Sequence, residues 1–211
     1  ELRYEMVMSA EEVRAASPRE VAAAIERALY LNDFERQKEL MIPRPGARLA
    51  EGLDDLLYAC PECGAFHSLE AKGNGLRCRN CGASGALDEY GFLHGFRFED
   101  TVAWDRWQRT LDRGLAATEF GSPGFLAAND YEVLKRREIG PVEAAWRNGA
   151  LELRGALDAR LPAAELKGVG LTMRSTLNFT HAGVDYVLTL ERKAPAFLRA
   201  CLAAAAAGAG A

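Results

Sequence analysis

No run of about 18 apolar residues occurs in the chain, so none of it reads as a helix that crosses a bilayer. The alanine-rich end after Arg199 is too short and too weakly hydrophobic to count. The first residues, Glu1-Leu-Arg-Tyr-Glu5, lack an initiator methionine and the basic and apolar blocks of a signal peptide. They read as an internal start within a longer polypeptide, with the cytoplasm, at the inner membrane face, as the expected location. A basic surplus is also missing: Lys plus Arg is 26 against 30 for Asp plus Glu, a net charge of −4. That balance argues against general nucleic-acid binding, which needs cations to displace phosphate counterions.

Histidine is scarce, with only His67, His94 and His181. No glycine-rich phosphate loop, G-x-S-x-G elbow or H-E-x-x-H occurs. A general base for acyl or phosphoryl transfer would need a histidine held by a carboxylate at fixed spacing. Lys72 and Tyr186 stand five residues after His67 and His181, and Glu99 after His94 is a weak match. His181 and Asp185, four apart across a turn, are a coincidence of spacing. No catalytic residue is assigned. Apolar residues at 49% and charged residues at 27% exclude disorder and place 211 residues as one large or two small folded domains.

What is present is concentrated in the cysteines. Four of five fall in Cys60-Pro-Glu-Cys63 and Cys78-Arg-Asn-Cys81, separated by 14 residues. Each C-x-x-C turn puts two thiolates on one knuckle, and two facing knuckles complete a tetrahedron around a metal ion. Gly64 and Gly82 follow each pair and supply the positive φ of the knuckle. Between the knuckles, residues 65–70 and 75–78 read as two strands with Gly73-Asn74-Gly75 as the turn, a zinc-ribbon hairpin. Two disulfides are the competing reading, but Cys201 leaves an odd count and no secretory signal is seen. Zinc is expected ahead of iron, and four thiolates leave no position for water or substrate, so the role is structural. His67 reads as a solvent-facing strand residue, and Cys201 as a core thiol.

Around the ribbon the expected class is α+β. Residues 9–40 read as helical, with a capping box at Ser17-Pro18-Arg19-Glu20 and a second start at Asn32. Residues 56–59 read as a strand feeding the first knuckle, and residues 87–90 and 92–98 as a hairpin turning at Gly91. A helix from Thr101 carries Trp104, Trp107 and Leu111 on one face, as core anchors or, less economically, a stacking surface. Gly121-Ser-Pro-Gly124 reads as a linker. Beyond it, short strands fall at residues 130–138, 142–146, 150–154, 156–161, 169–174, 175–181 and 185–190. Asn148-Gly149 and Ala182-Gly183 are hairpin turns, and a helix closes the chain over residues 194–207. This is the layout of a PH-like domain. The expected organisation is a helical lead-in over 1–49, ribbon and tryptophan helix over 50–120, and a PH-like β domain over 125–211. Lys135, Arg136 and Arg137 form the one compact basic cluster, either a contact for anionic lipid or phosphate or a charge-protected strand edge.

In the order Ala50-Glu-Gly-Leu53, Leu57-Tyr58, Cys60-Pro-Glu-Cys-Gly64, Gly73-Asn-Gly-Leu76, Cys78-Arg-Asn-Cys-Gly82, Asp88-Glu-Tyr-Gly91 and Trp104-Asp-Arg-Trp-Gln108, the chain resembles the C-terminal region of bacterial lysophosphatidate (1-acyl-sn-glycerol-3-phosphate) acyltransferases. The resemblance implies a zinc ribbon and PH-like tail behind an upstream catalytic domain that makes phosphatidate from acyl-CoA or acyl carrier protein. The H-x-x-x-x-D pair and the phosphate-binding arginine block of that family have no counterpart here. The implied role is therefore a non-catalytic accessory region in phospholipid biosynthesis, partnered by the catalytic domain and by an anionic membrane surface. The alternative is a stand-alone zinc-ribbon adaptor for protein or nucleic acid.

Overall fold

The computed structural model describes residues 4–130 and 135–208. The chain falls into two compact units, Glu1–Ile42 and Pro43–Ala211. The first holds three helices, α1 (Ala10–Ala15), α2 (Pro18–Leu29) and α3 (Asp33–Leu40). Capping boxes start two of them: Ser9 with Glu12 opens α1, and Ser17 with Glu20, followed by proline at the first position, opens α2. Asn32 caps α3 through the Phe34 amide, as expected. Neither α1 nor α2 contains a buried residue.

The second unit is α+β. After the one-turn helix α4 (Leu53–Leu56) comes a four-stranded antiparallel sheet in chain order, β1 (Leu69–Lys72), β2 (Gly75–Cys78), β3 (Ser84–Leu87) and β4 (Leu93–His94). The β1–β2 turn lies at Gly73 and Asn74, with Gly75 of the expected turn already paired to Lys72 as the first residue of β2. Residues 56–59 are not a strand; only Ala59 bridges Phe66. The reason lies in α5 (Thr101–Gln108), whose side chains take up the backbone groups that a ladder would have used. Trp104 Nε1 donates to the Ala59 carbonyl at 2.9 Å, Gln108 Nε2 to the Leu56 carbonyl at 3.1 Å, and the Tyr58 amide donates to Gln108 Oε1 at 3.0 Å. Trp104 is fully buried and Trp107 lies partly buried between the two hydrophobic clusters, so the tryptophan face is core.

A short helix, α6 (Asp112–Ala116), leads into seven antiparallel strands. They are β5 (Phe120–Asp130), β6 (Lys135–Arg147), β7 (Ala150–Gly155), β8 (Ala159–Pro162), β9 (Lys167–Thr172), β10 (Thr176–His181) and β11 (Val184–Leu190), in the order β8-β7-β6-β5-β11-β10-β9. The sheet curls into a half-barrel against α7 (Ala194–Gly208), the PH-like layout that the strand spacing predicts. Curling is helped by a bulge: Leu126 pairs with Gly140 and Ala127 with Glu138, leaving Ile139 as the extra residue. Asn148 and Gly149, at φ 47° and 70°, form the β6–β7 turn. The core joins Trp146, Leu151, Leu177, Phe179 and Leu188 to Phe197 and Cys201 of α7. Burying Trp146 alone removes an aromatic side chain worth roughly 4–6 kcal/mol of gross transfer energy.

Residues 121–124 are no linker but the first half of β5. The glycines there serve close approach between strands. A Cβ at Gly124 would stand 2.7 Å from the Thr189 carbonyl oxygen, and one at Gly121 3.0 Å from that of Ala144. Further boundaries also differ from expectation. The hairpin placed over 87–98 is replaced by the β3–β4 pair, with Gly91 at φ 89° inside the connection. The strand expected from residue 65 begins only at Leu69, because His67 takes a left-handed φ of 52°. Of the strand expected over 130–138, residues 131–134 lie outside the described residues.

Candidate metal centre

The two knuckles are near copies of one another. The Cys60 amide donates to the Ala65 carbonyl at 3.0 Å and the Cys78 amide to that of Ala83 at 2.7 Å. The Gly64 and Gly82 amides return to the carbonyls of Cys60 and Cys78 at 2.9 and 3.0 Å, with φ of 72° and 79°. Both loops close at a glycine because the left-handed backbone there carries no Cβ.

β2 carries Cys78 at its end and the first knuckle precedes β1, so the hairpin brings the pairs face to face. The four Sγ atoms lie within 4.8 Å of one another. Cys60 is 3.8 Å from Cys81, and Cys63 is 3.8 Å from Cys78. A tetrahedron with metal–sulfur bonds of about 2.3 Å has sulfur–sulfur edges of about 3.8 Å, so the cluster has the size of a four-thiolate metal site. Cys60 and Cys78 are buried, while Cys63 and Cys81 face out. His67 is not among the possible ligands.

Polar groups beside Cys78 and Cys63 favour their thiolates, whereas burial pushes the Cys60 thiol up to about 12. The Ser68 hydroxyl lies 3.3 Å from Cys78 Sγ, and Asn80 Nδ2 lies 3.5 Å from Cys63 Sγ. Burial acts upward on the Cys78 thiol, but Ser68 and the Cys81 and Asn80 amides outweigh it and bring it to about 6. The Asn80 side-chain amide leads in lowering Cys63. Cys201 is different: it sits in α7 with 1% exposure, and burial pushes its thiol up to about 12, which makes it the core thiol expected.

The ribbon is fastened to the half-barrel at two points. Arg192, just after β11, forms ion pairs with Asp54 and Asp55 at the end of α4. Deeper in, Arg199 of α7 donates through Nε to Asp112 Oδ2 at 2.7 Å, and the Tyr58 hydroxyl donates to Asp112 Oδ1 at 2.6 Å. Tyr58 stands two residues before the first metal-ligating cysteine, so this buried triad ties the knuckle to α6 and α7.

The remaining sequence candidates are dispersed. His94 pairs with Asp88 at 2.7 Å and His181 with Glu165 at 3.1 Å, both on the surface, while Asp185 accepts from Thr180 rather than from His181. His67 is not solvent-facing on a strand: its Nε2 is buried with no hydrogen-bond partner among the described residues, and its ring lies 4.6 Å from that of Phe120. Lys135, Arg136 and Arg137 are exposed at the start of β6, opposite Asp130, Asn129 and Ala128. No helix among the described residues is long and apolar enough to cross a membrane. The Asp112 triad carried no local sequence signal, because its members are 54 and 87 residues apart. No family model matches the chain, and no curated protein sequence matches it.

Proposed function

We propose that this chain is a non-catalytic accessory region of a 1-acyl-sn-glycerol-3-phosphate acyltransferase, with a structural zinc ion in the ribbon and a PH-like domain as its binding module. The observation that carries the reading is the closed set of four sulfurs, which has the dimensions of a zinc site with no position left for substrate. Zinc is favoured because an all-thiolate tetrahedron suits a soft-tolerant ion without geometric demands of its own. The ordered motifs from Ala50 to Gln108 support the family assignment, and the catalytic domain would lie upstream in the same polypeptide.

In this reading Cys60, Cys63, Cys78 and Cys81 hold the ion, Ser68 and Asn80 orient two of the sulfurs, and the Asp112 triad transmits the order of the knuckle to the half-barrel. Metal binding of roughly 10–16 kcal/mol in such sites is folding free energy. Lys135, Arg136 and Arg137 would meet the phosphates of an anionic inner-membrane surface at about 1 kcal/mol each. The test has two arms. The purified chain, assayed with acyl-CoA and 1-acylglycerol 3-phosphate, should show no transfer. In the native reading frame the segment before Glu1 should carry H-x-x-x-x-D. Transfer by the purified chain would overturn the non-catalytic role. Salt-dependent binding of single-stranded RNA or DNA at low micromolar affinity would instead favour an adaptor.

A further inference from the structure

Where the ribbon meets the half-barrel, a cavity of about 210 Å³ is lined by His67, Glu70 and Arg79 from the ribbon side and by Ser122, Arg192 and Lys193 from the barrel side. The cations are unequally provided for. Asp54 and Asp55 hold Arg192. Arg79 meets Glu70 at 3.6 Å, with both side chains more than half exposed, and donates through Nη2 to the His67 carbonyl at 3.3 Å. Lys193 reaches the Gly121 carbonyl at 3.4 Å and forms no ion pair among the described residues. Its backbone is left-handed, with φ of 64°, at the entry to α7.

Burial, then Arg192 and Arg79, lower the Lys193 ammonium below its ordinary range, with Asp55 acting in the other direction. Burial and then Lys193 push His67 down to about 4, which leaves a neutral imidazole beside the lysine. Three cations and three carboxylates, Asp54 among them, therefore line the cavity. Lys193 is the one of these cations with no carboxylate partner among the described residues, its ammonium and the outer N–H groups of Arg79 being left to donate. The cavity is several times the roughly 30 Å³ share of one water, yet below the roughly 300 Å³ at which pockets for larger ligands begin. Asp54, Glu70 and Glu191 also line it and disfavour a polyanion such as a nucleic-acid backbone.

We propose that this cavity is a binding site for a single phosphate-class oxyanion, held by Lys193 and Arg79 with Arg192 behind them. Lys193 supplies a point charge and Arg79 a planar pair of donors, the combination suited to a tetrahedral anion. The group can arrive as free inorganic phosphate or as the monoester headgroup of phosphatidate. Arg79 lies within the second knuckle, between Cys78 and Cys81, but the site uses none of the metal ligands and none of the basic cluster on β6, so its failure would leave the accessory-region reading standing.

The test uses the metal-loaded full chain. Thermal unfolding is followed against inorganic phosphate, with chloride at matched ionic strength as control, and phosphatidylcholine vesicles are doped with phosphatidate or, as control, phosphatidylserine. A saturable, phosphate-specific stabilisation is expected. Lys193→Gly suits the left-handed backbone while removing the charge, and it should weaken binding about tenfold or more, as should Arg79→Ala. Replacing Lys135, Arg136 and Arg137 together by alanine should leave phosphate binding unchanged. Vesicle binding that depends on phosphatidate and Lys193 identifies a lipid headgroup; a response to free phosphate alone identifies a soluble ligand. A shift no larger than that of chloride in the free arm with no Lys193-dependent vesicle binding, or equal binding by wild type and Lys193→Gly, would overturn the site.

Discussion

Replacing Asp112 by alanine removes the group on which the ribbon and α7 converge. The carboxylate is 7% exposed and takes bonds from the Tyr58 hydroxyl at 2.6 Å and from Arg199 Nε at 2.7 Å. Arg199, with 27% of its side chain exposed, would be left as a largely buried cation without its carboxylate, and Tyr58 with an unpaired hydroxyl. Breaking a buried pair from one side costs about 3–5 kcal/mol. For a unit of this size that corresponds to a fall in Tm of roughly 6–20 °C, against a total stability of only about 5–15 kcal/mol. The assay is denaturant unfolding of wild type, Asp112→Ala, Arg199→Met and the double variant, each metal-loaded. The double variant should recover about 1–3 kcal/mol relative to the sum of the singles, because no unpaired charge remains. A loss below about 1 kcal/mol for Asp112→Ala, or strict additivity in the cycle, would refute the claim that this triad carries the junction.

Other outcomes follow from single features. Cys60→Ser should lose the metal and expose Trp104, seen as a red shift in tryptophan emission together with a loss of bound zinc by metal analysis. Gly124→Ala should cost about 1–3 kcal/mol in chemical denaturation, since its Cβ would meet the Thr189 carbonyl inside contact distance. The Cys201 thiol, buried and pushed up to about 12, should resist a thiol reagent in the native metal-loaded protein and react once denaturant is added. His67 has its pKa lowered from 6.5 to about 4 by burial, so the unfolded chain binds the proton more readily. Its contribution is present above pH 6.5 and is lost as pH falls toward 4, by about 3 kcal/mol. His67→Asn, which does not titrate and tolerates the left-handed backbone, should flatten that part of the pH–stability curve relative to wild type.

The parts of this fold legible in the sequence are those determined within a few residues. The C-x-x-C-G repeats specify their knuckles through local hydrogen bonds and a glycine φ, and Ser17-Pro18-Arg19-Glu20 specifies its helix start in the same way. The turn at Asn148-Gly149 is readable because both residues tolerate left-handed backbone, while at Ala182-Gly183 the signal is the glycine alone, since Ala182 takes φ 50° in spite of its Cβ. Gly121-Ser-Pro-Gly124 was misleading because glycine serves two purposes, turning a chain and letting two strands approach, and only the neighbouring strands decide between them. Residues 56–59 have strand-like composition, yet their backbone groups are claimed by Trp104 and Gln108 about 50 residues away. Arg192 and Lys193 give no sign in sequence that one is held by carboxylates and the other is not. That difference arises only when α4 is carried beneath the start of α7.

The structural role of the four cysteines is tested most directly by zinc K-edge X-ray absorption on protein of known metal content. The expected spectrum comes from one zinc per chain with four sulfur neighbours at about 2.3 Å and no light-atom neighbour. A chain purified without metal that keeps the same fold, or a spectrum with an oxygen or nitrogen at an open position, would contradict it.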